Sequence, residues 1–331
     1  MARRPAHFYC DHFLSIRLGV FVLSFINTMK QPLLIFQILS LAALTISGFT
    51  LSSAKVLAHQ VPRLLLWPEG NIAAGVETER DPAIPTIDVH LPAPGKATGT
   101  GVIVLPGGSY GGVSMEFEGV HAAKFLTDHG IAAFVVRYRH APRFHHPVPL
   151  QDAQRAMQLV RARAAEFQVS PQRLGLMGFS AGGHLASTVI TQLELGQAAA
   201  VDPLARVSAR PDFAILIYPV ITFSDTAFVH QGSRINLTAG RAELWPELSN
   251  ERHVSAATPP VFLVHGGMDT SVPPENSMLF AAACRRAGVS VELHVLSQGE
   301  HAFRDAAIRG EAYEYLQHWL NRNGWLNAAV R

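Results

Sequence analysis

From residue 99 to the C-terminus, short continuous apolar runs alternate with longer stretches whose apolar residues recur every three or four positions. "GVIVLP" (101–106), "IAAFVVRY" (131–138), "RLGLMGF" (173–179), "DFAILIYP" (212–219), "PVFLVHG" (260–266) and "VSVELHVL" (289–296) are too short and too uniformly apolar for surface helices. They read as strands buried on both faces. Between them, "EGVHAAKFLTDHG" (118–130), "PLQDAQRAMQLVRARAAEF" (149–167), "AGGHLASTVITQLEL" (181–195), residues 274–288 and "AAIRGEAYEYLQHWLNRN" (306–323) carry apolar positions at helical spacing. Buried strands alternating with amphipathic helices predict an α/β fold, a mostly parallel central sheet with helices on both faces. Before it, residues 61–98 are polar and Pro-rich, with an edge strand expected near "TIDVHL". The polar stretch 220–258 interrupts the alternation and reads as an insertion over one end of the sheet. No internal repeat and no second core is evident, so residues 59–331 are expected to form one domain.

The chain has 331 residues, 48% hydrophobic and 16% charged, enough for one large domain with a substantial core. A formal net charge of +2 leaves no basic footprint for nucleic acid. The 16 histidines are scattered, and none forms an H-E-x-x-H or Cys/His cluster with metal-ligand spacing. His145-His146, in the loop "APRFHHPVP", reads as a surface pair. No metal and no cofactor is expected. Of the two cysteines, Cys10 and Cys284, the first falls in a segment expected to be removed, so no disulfide framework exists.

The first 58 residues read differently. They hold two apolar runs, "FLSIRLGVFVLSFIN" and "PLLIFQILSLAALTISGF". The second follows Met29-Lys30 and ends in small residues, with Ser52-Ser53-Ala54 and Val56-Leu57-Ala58 as candidate cleavage signals. Charged start, apolar core and small-residue exit make a secretory signal, with Met29 the expected true start. The alternative is an uncleaved anchor, because the run is close to spanning length. Either way the folded part is expected to be exported, to the periplasm or beyond the cell.

Within this frame, "GLMGFSAGGHLAS" (175–187) puts Ser180 at a strand-to-helix corner. Gly178-Phe179-Ser180-Ala181-Gly182 fits G-x-S-x-G, in which the serine is held in a strained turn with its hydroxyl presented. The plain alternative is a glycine turn with Ser180 capping a helix. A serine hydroxyl needs a histidine base, and that histidine needs a carboxylate to orient it. In the arrangement that a G-x-S-x-G elbow marks, the acid and then the histidine follow later strands, in loops at the carboxyl ends where such sheets hold their sites. "VFLVHGGMDTSVPPENS" puts Asp269 just beyond one strand, and "VELHVLSQGEHAF" puts His301 just past the next. The order Ser, Asp, His, each after its own strand, makes these three the candidate catalytic residues.

Such chemistry also needs backbone N–H groups facing the developing oxyanion. The amide of Ala181 follows the nucleophile. The second donor is expected in "VLPGGSYGG", at Gly107 or Gly108. A phosphate cradle is the rival for this loop, but neither G-K-[ST] nor G-x-G-x-x-G spacing is present. Ser109 and Tyr110 are the candidate substrate-binding residues. Asp152 reads as structural, near the start of a helix. Glu118 opens a helix opposite the glycine turn, as an N-terminal charge or a pocket residue.

Taken together, "LPGGSYGGVSMEFEGVHAAKFLTDHGIAAFVVRYR", "HPVPLQDAQRAMQLVRARAAEF", "RLGLMGFSAGGHLAS", "PPVFLVHGGMDTSVPPENS" and "GEHAF" resemble the exported esterases of the α/β-hydrolase fold. More narrowly, the chain resembles the acetylxylan esterases and bifunctional acetylxylan and feruloyl esterases. "LWPEGNIAAG" looks like the opening of their mature chains, and the resemblance runs over about residues 64–322. It implies a Ser180–Asp269–His301 triad and oxyanion donors at Gly108 and Ala181. Two departures stand out. Pro106-Gly107-Gly108 replaces the His-Gly-Gly of many relatives, and Ser109 stands where a third glycine is common.

The expectation is a serine esterase acting through an acyl-enzyme on Ser180. Export and resemblance point to short acyl esters, chiefly acetyl, on an oligo- or polysaccharide such as xylan. A general carboxylesterase and a peptidase of the same fold are the nearer alternatives. A non-catalytic carbohydrate-binding protein would favour a strip of exposed tryptophans, and Trp67, Trp245, Trp319 and Trp325 are dispersed.

Overall fold

β3 (Gly101–Leu105) and β5 (Leu174–Phe179) lie side by side at the middle of an eight-stranded sheet, parallel, with Ile103 opposite Leu176 and Val104 opposite Met177. The structure is a computed structural model that describes residues 61–67 and 84–328. The expected leader over residues 1–58 and most of "LWPEGNIAAG" lie outside the described residues. β4 (Ala132–Arg137), β6 (Phe213–Ile217), β7 (Val261–Gly266) and β8 (Val291–Leu296) run parallel to the central pair. With β1 (Arg63–Leu65) and β2 (Thr86–His90) at one side, the sheet order is β1-β2-β4-β3-β5-β6-β7-β8.

Strands β3 to β7 present alternate residues to two apolar layers, while the edge strand β8 is only partly buried. Ile103, Leu105, Leu176, Leu216 and Leu263 face α2 (Val148–Ala162), α3 (Ser180–Thr191) and α5 (Glu275–Arg286). Val102, Val104, Met177, Ile215 and Val264 face α1 (His121–Asp128) and α6 (Ala306–Arg322). Cover on both faces explains the unbroken apolar runs, because an alternating strand would bury polar groups on one side.

Four expectations need correction. "TIDVHL" forms β2 (Thr86–His90), but it is not the edge strand. β1 (Arg63–Leu65) pairs outside it, antiparallel, and Arg63 Nη2 donates to Asp88 Oδ2 at 3.0 Å. Three residues are too few for periodicity to reveal. The helix expected over 118–130 starts earlier, as a π-helical stretch at Met115–Val120. Ser114 O there accepts from both Glu118 N and Gly119 N, so the turn carries one extra residue. The helix expected to reach residue 195 stops at Thr191, and α2 ends at Ala162 before a 3-10 turn, Ala164–Phe167.

The 220–258 segment is less irregular than expected. It holds α4 (Gln231–Thr238) and short 3-10 turns. Asn250 Nδ2 ties it to α3 by donating to His184 O at 3.0 Å and Ser187 Oγ at 2.7 Å. Asp152 is structural, as expected. Fully buried, it accepts from the Arg139 guanidinium at 2.6 Å, the Arg139 amide at 3.0 Å and Trp67 Nε1 at 2.8 Å. Among the described residues, no helix is long and apolar enough to cross a membrane, and no group of three His, Cys, Asp or Glu could hold a metal ion.

Candidate active site

The chain leaves β5 through Phe179 in extended backbone, turns at Ser180 with φ at +50°, and enters α3 directly. A non-glycine residue at positive φ is strained, and close packing has to hold it there. Two glycines make that packing possible. A Cβ on Gly178 would sit 2.3 Å from Gly182 O, and one on Gly182 would sit 2.1 Å from Leu105 O. Ser180 does not cap the helix with its side chain. Its Oγ lies 3.0 Å from His301 Nε2.

His301 follows β8, as Asp269 follows β7. His301 Nδ1 lies 2.6 Å from Asp269 Oδ2. An ionised carboxylate only accepts hydrogen bonds, so Nδ1 carries the ring proton and Nε2 is left to accept the Ser180 proton. Asp269 is 4% exposed. Burial alone would push its pKa up, but hydrogen bonds from His265 and His301, the charge on His301 and the Val272 amide outweigh it. The carboxyl is therefore held well below the usual range and stays ionised. Its other oxygen accepts from the amides of Ser271 at 3.0 Å and Val272 at 2.8 Å.

His265 is a partner the motif reading passed over, because it looked like the end of a strand. It is fully buried, and its Nε2 donates to Val272 O at 2.8 Å with Asp269 Oδ2 3.3 Å away. Its Nδ1 accepts from the Ser277 hydroxyl at 2.7 Å.

The glycine loop separates Gly107 from the residues that follow it. The Gly107 amide already donates to Glu118 Oε2 at 2.6 Å, so Gly107 is not a free donor. Its position is cramped as well: a Cβ there would lie 2.9 Å from Glu118 Oε2, Phe179 O and Ser180 Cβ. Among the described residues the Gly108 amide has no acceptor, and Gly108 is exposed. The carbonyl of that same peptide, Gly107 O, accepts from Ser114 N at 2.9 Å, which fixes the direction of the Gly108 N–H. The Ala181 amide lies in the first turn of α3, where helix geometry supplies no partner.

Of the two candidate substrate contacts, Ser109 is half-buried at φ +56°, with its carbonyl held by Asn236 Nδ2 of α4 at 2.9 Å. Tyr110 is corrected. It has no exposed surface, and its hydroxyl bonds His184 Nδ1 at 2.8 Å. His184 Nε2 meets the carbonyl of Leu248 at 2.8 Å, so it donates there and Nδ1 accepts from Tyr110. Tyr110 is a core residue that ties the glycine loop to α3 and the 220–258 segment.

Glu118 lies in the first turn of the π-helical stretch, as an N-terminal charge would, but it is buried and not an open pocket residue. It is 5% exposed, and its second oxygen accepts from the Tyr218 hydroxyl at 3.1 Å. Burial raises its pKa, against the opposing pull of the Gly107 amide, the Tyr218 hydroxyl and His301. His230, at the start of α4, was also missed. Its Nδ1 accepts from Ser233 N at 3.1 Å, so Nε2 bears the proton. Burial lowers its pKa, His301 lowers it further and Asp269 raises it, so the ring senses the charges of the site. No local pattern marks it, since it reaches the site only through the fold.

A serine hydroxyl within hydrogen-bond reach of an imidazole whose other nitrogen bonds an ionised carboxylate, beside two amides with no acceptor among the described residues, is a complete set of groups for acyl transfer. The profile of one family, BD-FAE, matches residues 87–284. The chain belongs to this family. A BD-FAE match over that range takes in the glycine loop, Ser180 and Asp269. The chain is 32% identical over 216 residues to an acetylxylan esterase of Xylanibacter ruminicola, covering 63% of this chain and 42% of that protein. It is 33% identical over 206 residues to an endo-1,4-beta-xylanase B of Butyrivibrio fibrisolvens, covering 60% of this chain and 32% of that one. The chain thus spans less than half the length of these two relatives. Among solved structures, an acetyl ester-xyloside bifunctional hydrolase from Caldicellulosiruptor lactoaceticus superposes with a TM-score of 0.73 at 37% identity, over 80% of this chain and 97% of that one. The sheet order and this likeness make the fold that of the α/β hydrolases.

Proposed function

We propose that the protein is a serine esterase that removes short acyl groups, chiefly acetyl, from plant polysaccharides such as xylan or from their oligosaccharides. The observation that carries the chemistry is the Ser180–His301–Asp269 chain of hydrogen bonds at a serine with positive φ. In the reaction, His301 Nε2 takes the Ser180 proton as Oγ attacks the ester carbonyl. Asp269 keeps Nδ1 protonated and stabilises the imidazolium that forms. The Gly108 and Ala181 amides receive the oxyanion. Collapse transfers the His301 proton to the departing sugar oxygen and leaves an acyl group on Ser180. Water, deprotonated by His301, then releases the acid.

The choice of a xylan acetyl ester is supported by the names of the relatives in Xylanibacter, Butyrivibrio and Caldicellulosiruptor. Export to the periplasm or the medium is supported by the charged, apolar and small-residue sequence of residues 29–58. It is tested by fractionating cells that express the full chain. A product confined to the cytoplasm would reject it.

The esterase reading is tested with the protein and its Ser180→Ala variant on acetylated xylan and on p-nitrophenyl acetate. Loss of both activities in the variant, by about 10³-fold or more, is the expected result. Hydrolysis of the model ester alone would remove the xylan assignment. Equal activity in the variant would remove Ser180 as the nucleophile.

A further inference from the structure

One buried carboxyl in the site has no part in the triad. Glu118 sits in the π-helical stretch, and the extra residue in that turn aims its side chain inward under the glycine loop. Its two oxygens hold two different parts of the site. Oε2 accepts from the Gly107 amide at 2.6 Å, a close hydrogen bond. Oε1 accepts from the Tyr218 hydroxyl at 3.1 Å.

The Gly107 bond clamps the peptide just before the one that bears the Gly108 N–H. The carbonyl of that clamped peptide, Pro106 O, accepts from the Tyr138 hydroxyl at 2.6 Å. Both polar ends of the Pro106–Gly107 peptide are therefore held by buried side chains. The next carbonyl, Gly107 O, is held by Ser114 N. Three bonds thus leave the Gly108 N–H one direction. Tyr218 carries the same connection to the other half of the site. Its backbone is held at φ +36°, and its ring meets the His301 ring edge-on with centroids 5.1 Å apart.

We propose that Glu118 is a positioning residue, whose carboxylate aims the oxyanion-binding amide of Gly108 and braces His301 through Tyr218, while its negative charge favours the imidazolium. The proposal rests on Ser180 being the nucleophile. The polar groups around Glu118 are the Gly107 amide, Tyr138 from the end of β4, Tyr218 from the end of β6, Tyr313 from α6 and His301. Burial pushes all three tyrosines up, so they stay neutral. The imidazolium formed when His301 takes the Ser180 proton is then the positive charge that Glu118 faces. Among the described residues, Asp269, Ser180 and His230 also interact with His301.

The experiment compares the full chain with its Glu118→Ala and Glu118→Gln variants, using p-nitrophenyl acetate and labelling of Ser180 by a fluorophosphonate. Gln can still accept from Gly107 N–H and can donate to the Tyr218 oxygen, so it keeps the clamp and loses the charge. Glu118→Ala is expected to lower kcat by about 10²-fold, on the scale of losing one oxyanion donor, with KM changed by less than about 3-fold. Glu118→Gln should recover most of that kcat. Its acid limb in kcat/KM should move to lower pH, by about half a unit, because the imidazolium has lost a nearby negative charge. A merely structural side chain would move neither the kcat-to-KM split nor the limb. Undiminished kcat in folded Glu118→Ala overturns the proposal, as does an unshifted limb in Glu118→Gln. If Glu118→Ala does not fold, the limb of Glu118→Gln decides. A wild-type chain that the fluorophosphonate does not label at Ser180 fails the esterase reading itself, which separates the two failures.

Discussion

Single residues divide between those whose role follows from chemistry in order along the chain and those whose role follows from what the fold puts beside them. Ser180, Asp269 and His301 belong to the first kind, because each chemistry-bearing side chain stands just past a strand end. Tyr110 belongs to the second. Its place after two glycines suggests a pocket wall, yet its φ of +56° turns the ring into the core. Tyr110→Phe should therefore leave KM for a model ester unchanged. It should cost about 1–2 kcal/mol of stability, because His184 Nδ1 loses its buried donor. Steady-state kinetics with denaturant unfolding checks both, and a raised KM at unchanged stability would restore Tyr110 to the substrate site. Gly107 shows the same limit. Sequence leaves Gly107 and Gly108 equivalent, and a carboxylate eleven residues on decides between them.

Among elements, the strands of the parallel core are the most legible, since burial on both faces writes itself as unbroken apolar runs. The π-helical stretch is not, because a helix with one extra residue in a turn keeps nearly the same periodicity. α4 is hidden for another reason: only Ser233, Arg234, Leu237 and Thr238 are buried, too few apolar positions for a clear stripe. What starts α4 is His230, whose Nδ1 accepts from Ser233 N as an Asn oxygen would. His230→Ala should destabilise the fold by about 1 kcal/mol through loss of that cap, and His230→Asn should restore most of it. Thermal unfolding of the two variants checks this. Equal losses in both would mean that the ring's packing and not its cap holds α4.

Across the whole molecule, His184 joins the glycine loop, α3 and the 220–258 segment, and burial lowers its pKa to about 4. Unfolded, it would take up a proton near pH 6.5, while folded it resists until about pH 4. The unfolded chain thus binds more protons in that window, so stability falls as pH drops from 6.5 towards 4 and is unaffected above it. The loss from this one group is on the order of 3 kcal/mol. His90, His146 and His230, also lowered by burial, act in the same direction. Unfolding curves between pH 4 and 7 should be steeper for the native chain than for His184→Gln, and parallel curves would reject the assignment. The sequence by itself determined the parallel sheet, the elbow and the order of the triad, because strand burial and strand-end placement are local patterns. Only the tertiary structure decided the outer strand β1, the burial of Tyr110, the free amide of Gly108 and the clamp from Glu118. Each of these depends on which groups from distant segments meet, and hydrogen-bond partners across a fold leave no periodic trace along the chain.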